Sequence, residues 1–207
     1  MKRMGIIFLA MAAVGLMAGN ALAGGMMAGH GEKPYYVSGG ISYNLENFEI
    51  SGLDPDYDNT WGLALAAGMC VAPHLSVEFD FDWLDDFEAD DLILVGDDLV
   101  RVRSDVGIAT YLVTAKVSPM AEPGTFDFYG LAGMGWMDGD ADFVVTGVRT
   151  LGLGDTGGDF AAKVGAGAEY WPGLPVGFGL ELAYVFGFGD MDEIQYTQLT
   201  GKAIYRF

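Results

Sequence analysis

Apolar and polar residues alternate at every second position over much of the chain. The pattern is clearest where Trp61, Leu63, Leu65, Ala67, Met69 and Val71 are separated by small or polar residues. Side chains of a β-strand point to its two faces in turn, so a period of two predicts strands. Eight such segments can be recognised, each close to the ~9 to 11 residues of a tilted membrane strand. They cover residues 35–45, 60–71, 75–83, 105–117, 126–136, 160–170, 176–188 and 199–207.

The two faces of the third segment differ sharply in polarity. Glu78, Asp80 and Asp82 alternate there with large apolar residues such as Phe79 and Phe81. Three acids on one face and apolar residues on the other predict a strand between lipid and a polar lumen. The phase of the fifth segment, 126–136, stays undecided, because its glycines dilute the alternation.

The connections between the segments alternate between short and long. Short ones cover 73–74, 118–124 and 172–175, and long ones rich in Asp and Gly cover 46–59, 85–104 and 138–159, with a shorter one at 189–193. Short periplasmic turns opposite long outer loops are typical of membrane barrels. The predicted fold class is therefore all-β, an eight-stranded antiparallel up-and-down transmembrane β-barrel over residues 34–207.

The N-terminus carries the pattern of a secretory signal peptide. Lys2 and Arg3 precede an apolar run from Met4 to Met17, and small residues lead to Ala23. A transmembrane helix is the alternative, but this run is shorter than the ~20 residues that a span needs. We expect cleavage after Ala23, a flexible lead-in over 24–33, and a mature protein in the cell outer membrane.

Composition narrows the fold further. Hydrophobic residues make up 51% of the chain although its net charge is −19, a combination unusual for a soluble acidic protein. After the N-terminal segment there is no apolar run long enough for a membrane helix. A closed barrel satisfies its backbone hydrogen bonds in lipid without helices. The single cysteine, Cys70, excludes an internal disulfide framework.

Three segments resemble the OmpA/OmpX-like family of small outer-membrane β-barrel proteins: Thr114–Pro119, Phe128–Gly135 and Ala203–Phe207. The resemblance implies an outer-membrane location. It also implies that the barrel-assembly machinery recognises the last strand, with Tyr205 and Phe207 as the assembly signal. Such families include passive membrane stabilisers, adhesins and barrels that pass small molecules, so the resemblance leaves the task open.

Catalytic, cofactor and metal sites are not expected. His74 and Ser76 are similar to the His-x-Ser pair of lipid A deacylases, but they lie at a short periplasmic turn, which favours a polar turn residue. Two D-x-D-x-D runs invite a calcium interpretation: Asp54, Asp56, Asp58 and Asp138, Asp140, Asp142. Neither run has the Gly and Glu that an EF-hand loop requires. They are interpreted as solvated acidic loops, with loose Ca²⁺ or Mg²⁺ bridging to lipopolysaccharide phosphates left open.

Charged residues on the inward face are nearly balanced. Five acids and four bases fall there: Glu78, Asp80, Asp82, Glu169 and Glu181 with Lys116, Lys163, Lys202 and Arg206. Ionised groups persist in a poorly hydrated interior only when they are paired, so near balance predicts an ion-pair network in a plugged lumen. We specifically expect Glu181 to pair with Lys202 and Glu78 to lie near Lys116.

The leading functional hypothesis is a structural and interaction barrel surrounded by outer-membrane lipid and lipopolysaccharide. Its acidic loops disfavour nucleic acid as a partner. A narrow porin-like barrel is the alternative, because several glycines fall on the inward face and could leave a gap: Gly165, Gly167, Gly177, Gly179 and Gly187. A lipid A-modifying enzyme is a remote third hypothesis that depends on His74 and Ser76. The oligomeric state stays open.

Overall fold

The protein folds as one closed antiparallel β-barrel in which each strand pairs with its neighbours along the chain. The computed structural model describes residues 34–46, 58–72, 74–95, 98–118, 126–145 and 158–207. The predicted signal peptide, lead-in, Asp54 and Asp56 lie outside these residues. The strands are β1 Tyr35–Glu46, β2 Thr60–Ala72, β3 Leu75–Val95, β4 Asp98–Val117, β5 Phe126–Val145, β6 Asp159–Tyr170, β7 Val176–Gly187 and β8 Gln195–Arg206. The predicted fold class is confirmed.

The first and last strands close the barrel. Tyr205 is in register with both Val37 on β1 and Val176 on β7, and the Phe207 N–H donates to the Tyr35 carbonyl over 3.0 Å. Closure removes the unpaired edge that a sheet would otherwise expose to lipid. Among the described residues, no helix combines the length and apolar character needed to cross a bilayer.

The outer surface is apolar, as the alternation predicts. Val37, Ile41, Leu63, Leu65, Val113, Leu180 and Leu182 are among the exposed large apolar residues. On β5 the undecided phase is resolved, because Phe128 and Met134 point outward whereas Tyr129, Leu131 and Met137 are buried. Exposed aromatic residues lie near both ends of the closed barrel, where membrane barrels carry interfacial girdles. They include Trp61, Trp83, Trp136, Phe160, Phe126, Tyr170, Tyr205 and Phe207.

Two of the predicted long loops are wrong. Strands β3, β4 and β5 contain 21, 20 and 20 residues, whereas the other strands contain 12 or 13. Most of 85–104 and the first part of 138–159 are therefore strand, and the predicted acidic loop residues Asp138, Asp140 and Asp142 all lie on β5. Beyond Leu84 and Met137 the described pairing of β3 and β5 is with β4 alone, so these strands extend past the rim as a three-stranded sheet.

A register shift between Leu84 and Phe87 explains why the sequence pattern did not predict the extended strands. One extra residue on β3 places Phe87 on the buried face, one position out of phase with a simple alternation, so the sequence pattern breaks there. Past the bilayer, the outward face meets water instead of lipid and can carry acids. Alternation of lipid-facing apolar residues therefore ends before the strands do.

The barrel has two different ends. We refer to the end that holds Pro34 and Phe207 as the terminal end, and to the opposite end as the loop end. At the terminal end, β6 and β7 are joined through Gly173, whose φ of 79° lies in the left-handed region that glycine adopts without strain. His74 lies in the turn between β2 and β3 at this same end.

Apolar side chains fill both ends of the lumen. The apolar plug at the loop end consists of Leu84, Phe87, Val106, Ile108, Leu112, Met137, Ala161, Val185, Met191 and Tyr196. A short 3-10 turn, Gly189–Met191, carries Met191 into it. The terminal-end cluster consists of Tyr36, Cys70, Trp171 and Ile204. The buried charged residues of the lumen lie between these two clusters.

Candidate functional site

The nine charged residues predicted for the lumen all lie on inward positions and form one charged layer. Its members are Glu78, Asp80 and Asp82 on β3, Lys116 on β4, Lys163 and Glu169 on β6, Glu181 on β7, and Lys202 and Arg206 on β8. Arg206 keeps 21% of its side chain exposed, whereas the other eight keep 8% or less. Groups this buried depend on one another for the interactions that water would otherwise supply.

Lys116 holds the part of the layer nearest the terminal end. Its Nζ lies 2.9 Å from Glu78 Oε1 and 2.5 Å from Glu169 Oε1. The ammonium also stands 4.1 Å from the centre of the Tyr129 ring, a cation–π geometry. The Tyr36 hydroxyl donates to Glu78 over 2.6 Å. One lysine thus connects two carboxylates, and aromatic side chains complete its surroundings.

Glu181 is the centre of the part nearer the loop end. Its carboxylate accepts from Lys202 Nζ at 2.7 Å and from the Tyr129 hydroxyl at 2.9 Å. Lys163 Nζ stands 3.0 Å from its other oxygen. Three donors around one buried carboxylate satisfy most of its hydrogen-bonding capacity.

The two pairs expected from the sequence therefore stand in direct contact, and both are diagonal in register. Glu181 is level with Thr200 on β8, while Lys202 is level with Gly179 on β7. Gly179 leaves room for the Lys202 stem, because a Cβ there would stand 3.1 Å from two of its methylene carbons. Lys116 is likewise level with Ser76, one inward position from Glu78.

Asp80 and Asp82 are held less closely. Lys163 Nζ is 4.0 Å from Asp80 Oδ2 and 3.8 Å from Asp82 Oδ2, at the outer limit of an ion pair. The Thr114 hydroxyl donates to Asp80 over 2.6 Å, and the Thr110 hydroxyl donates to Asp82 over 3.4 Å. These two acids have neutral hydroxyl donors in place of a close ammonium.

Arg206 lies at the boundary with the terminal-end cluster. Its guanidinium carbon stands 3.5 Å from the centre of a Trp171 ring, and the nearest nitrogen is 3.9 Å from Glu169 Oε2. The guanidinium group therefore lies closer to the Trp171 ring than to the Glu169 carboxylate. Arg206 and Trp171 together cover the lumen at this end.

The inward glycines are occupied by large neighbours. A Cβ on Gly177 would lie 2.7 to 2.8 Å from Trp171 ring carbons, and one on Gly167 would overlap the Tyr129 phenol. Gly187 faces Met191 in the same way, and Gly165 faces the backbone of β7. Gly167 and Gly177 therefore make room for the Tyr129 and Trp171 side chains, which occupy the space that the sequence suggested was open.

His74 and Ser76 have separate partners. His74 Nδ1 lies 3.0 Å from the Ser118 carbonyl oxygen, and the Ser76 hydroxyl donates to Cys70 Sγ over 3.5 Å. Both residues line a depression at the terminal end, with Ser118 and Asp127. A general base must hydrogen-bond the hydroxyl that it activates, and these two contacts direct the side chains elsewhere. Within the described ranges, no group of three or more His, Cys, Asp or Glu residues could hold a metal ion.

A sequence model of the family described as "outer membrane protein beta-barrel domain" matches residues 6–207. The chain belongs to this family. Membership implies that the protein is located in the outer membrane. The closed eight-stranded barrel agrees with that location. Comparison with proteins of curated function found no match.

Solved structures of small barrels have the same fold. Neisserial surface protein A is 11% identical, with 84% of this chain and 97% of that chain covered and a TM-score of 0.58. Ail of Yersinia pestis, solved with the heparin analogue sucrose octasulfate, is 20% identical over 85% and 99% of the two chains, with a TM-score of 0.50. At such low identities the likeness shows the fold of the outer membrane barrel and leaves its task open.

Sequence reasoning missed the uncharged members of the lumen. The Tyr36 and Tyr129 hydroxyls donate hydrogen bonds to glutamates of the layer. The Thr110 and Thr114 hydroxyls donate to its two aspartates. Tyr36, Thr110 and Thr114 fall on the inward phase that the alternation predicts, whereas the phase of the segment that carries Tyr129 was undecided. Their importance comes from which strands face each other across the lumen, a property of the closed barrel.

Proposed function

We propose that this outer membrane barrel has a structural and interaction role, and that it is neither an open channel nor an enzyme. The observation that carries the proposal is the filled lumen, in which the charged layer lies between an apolar plug and the terminal-end cluster. An eight-stranded barrel is just wide enough for side chains to fill it. Such a barrel has a firm core for anchoring in lipid and leaves binding to its outer parts.

The narrow porin-like alternative rested on inward glycines. Packing of Tyr129 over Gly167 and of Trp171 over Gly177 supports the closed barrel instead. The remote alternative, a lipid A-modifying enzyme, needs His74 to reach Ser76. Their separate hydrogen bonds to Ser118 and Cys70 support the non-enzymatic role.

The surface at the loop end is acidic. Asp85, Asp86 and Asp192 are exposed there, beyond the aromatic residues of the outer girdle. Such a surface attracts cations and basic protein surfaces, with a strong dependence on salt, and it disfavours nucleic acid and other polyanions. Lipopolysaccharide, bridged loosely through Ca²⁺ or Mg²⁺, is the surrounding partner that this proposal includes.

Export and assembly form part of the same proposal. Cleavage after Ala23 would release the mature chain, and the barrel-assembly machinery would recognise the last strand through Tyr205 and Phe207. Those two rings stack with centroids 6.2 Å apart at the outer surface of the β1–β8 seam. An aromatic pair at the seam is suited to a strand that must be recognised before the barrel closes.

Deletion of the gene in its host tests the proposed role. The deletion strain should take up more of an apolar fluorescent dye and should become more sensitive to detergent, and a plasmid copy should restore both. A plasmid copy carrying Ser76→Ala should restore them equally, because the proposal gives Ser76 no chemistry. A strain whose only defect is slower uptake of small hydrophilic solutes would contradict the proposal and favour the porin-like alternative.

A further inference from the structure

The charged layer carries one more acid than base, and the excess has a definite place. Near the terminal end, Glu78 and Glu169 are balanced by Lys116 and Arg206. The remaining members, nearer the loop end, are three acids and two bases among the described residues. These are Asp80, Asp82 and Glu181 with Lys163 and Lys202.

The two lysines are engaged mainly by Glu181. Their Nζ atoms stand 3.0 and 2.7 Å from its two oxygens, whereas Lys163 is 3.8 Å or more from both aspartates. The uncompensated negative charge therefore lies between Asp80 and Asp82. Both are almost completely buried, with relative exposures of 5% and 2%. A buried charge without a partner is costly, so this position calls for a positive charge.

A small cavity opens beside these two acids. Asp80, Asp82, Lys163, Ser38 and Thr200 are among its lining residues, and its free volume of about 20 Å³ admits a single particle the size of a water molecule. The space exists because β2 presents only alanines here: Ala64 is level with Asp82 and Ala66 with Asp80.

Unpartnered polar atoms on β8 give a second indication of a ligand. Thr200 lines the cavity and is 97% buried, and its hydroxyl has no hydrogen-bond partner among the described residues. At the next inward position of β8, both side-chain amide atoms of Gln198 are also buried. Neither has a hydrogen-bond partner among the described residues. Buried polar groups are normally hydrogen-bonded, so the Thr200 hydroxyl marks the cavity as a place where a small polar ligand fits.

We propose that the cavity binds one monovalent cation, coordinated by the Asp80 and Asp82 carboxylates and the Thr200 hydroxyl. Hard oxygen ligands and a local charge of −1 match a sodium or potassium ion. The groups that face the two aspartates from other strands are Thr110 and Thr114 on β4, Lys163 on β6, Glu181 on β7, and Tyr196 and Lys202 on β8. The cation makes the whole layer electrically neutral without opening the lumen.

The test uses the refolded protein in a zwitterionic detergent and follows its folded fraction by the mobility of unheated and heated samples on gels. Choline chloride is replaced by NaCl or KCl at constant ionic strength and pH 7. If an alkali cation binds, the melting temperature should rise by a few degrees as NaCl or KCl replaces choline chloride. The rise should level off once the site is occupied. A melting temperature that is independent of the salt but lower at pH 9 than at pH 5 would overturn the proposal, because a protonated carboxyl group would then neutralise the excess charge.

Asp82→Asn removes the excess charge and should abolish the dependence of the melting temperature on NaCl and KCl. It should also fold and melt at or above the wild-type temperature in choline chloride at pH 9, with Asp80→Asn as the second variant. Asp85→Asn, the same change at an exposed position, should keep the wild-type dependence. The proposal is also overturned if Asp82→Asn and the wild type respond alike to NaCl and KCl, or if neither asparagine variant folds, since neither acid would then be in excess.

Discussion

The contact between Glu181 and Lys202 is the sharpest test of the charged layer. Their charged atoms stand 2.7 Å apart with only 5% and 7% of the side chains exposed, so the pair is buried rather than superficial. Breaking a buried pair typically costs ~3 to 5 kcal/mol, whereas an exposed pair is worth at most ~1. The two single substitutions, however, should not cost the same.

Glu181→Gln removes the partner of two lysines at once, and Lys202 has no other ion pair among the described residues. Lys202→Met leaves Glu181 with Lys163 at 3.0 Å and the Tyr129 hydroxyl at 2.9 Å. We therefore expect Glu181→Gln to cost ~3 to 5 kcal/mol in free energy of unfolding, and Lys202→Met clearly less.

A double-mutant cycle in refolded protein, measured by urea unfolding in lipid vesicles, should give a coupling energy above ~1 kcal/mol. Asp192→Asn, an acid-to-amide change at an exposed position, is the matched control and should stay within ~0.5 kcal/mol of wild type. Additive effects of the two substitutions, or a larger loss for Lys202→Met than for Glu181→Gln, would refute this account of the layer.

Three further predictions concern packing and topology. Leu112→Ala in the apolar plug should cost ~2 to 5 kcal/mol, whereas Val113→Ala on the lipid-facing side should cost less, and equal losses in urea unfolding would argue against a packed plug. Gly177→Ala should cost ~1 to 3 kcal/mol because its methyl group meets the Trp171 ring, and Trp171→Leu should relieve part of the loss; no relief would place the strain elsewhere. In a Cys70→Ser background, a cysteine at Asp85 should react with an impermeant thiol reagent on intact cells and one at Gly173 should not, and the reverse result would invert the topology.

The alternation of apolar residues was sufficient to predict the fold. It gave the strand count, the inward phase of all nine charged residues, and the short connections at the terminal end. The two ion pairs could also be predicted, because Glu181 and Lys202 belong to one hairpin and Glu78 and Lys116 to another. Counting each residue from the terminal end of its strand places such partners level to within a few residues, and the stagger of the barrel sets the rest.

Other contacts depend on which strands face each other across the lumen. Lys116 on β4 binds Glu169 on β6, and Lys163 on β6 reaches the aspartates on β3. No local pattern gives the distance between strands that are not neighbours. That distance follows from the strand number and stagger of the closed barrel.

The extended strands and the apolar plug were missed for a related reason. The irregularity at Leu84 and Phe87 changes the phase, and the acids that follow resemble a solvated loop when they are read without a pairing partner. Once β3, β4 and β5 are paired, Phe87 and Val106 fall level with each other on the buried face. The plug is therefore a property of paired strands rather than of any one segment.

Electrical conductance tests the central claim, a lumen filled from end to end, most directly. Refolded protein in a planar lipid bilayer should give no reproducible single-channel events in 1 M KCl. The variant in which Glu181→Gln and Leu112→Ala are combined, which opens both the charged layer and the apolar plug, should conduct more often than the wild type. Regular wild-type channels of uniform conductance would contradict the account and establish a transport barrel.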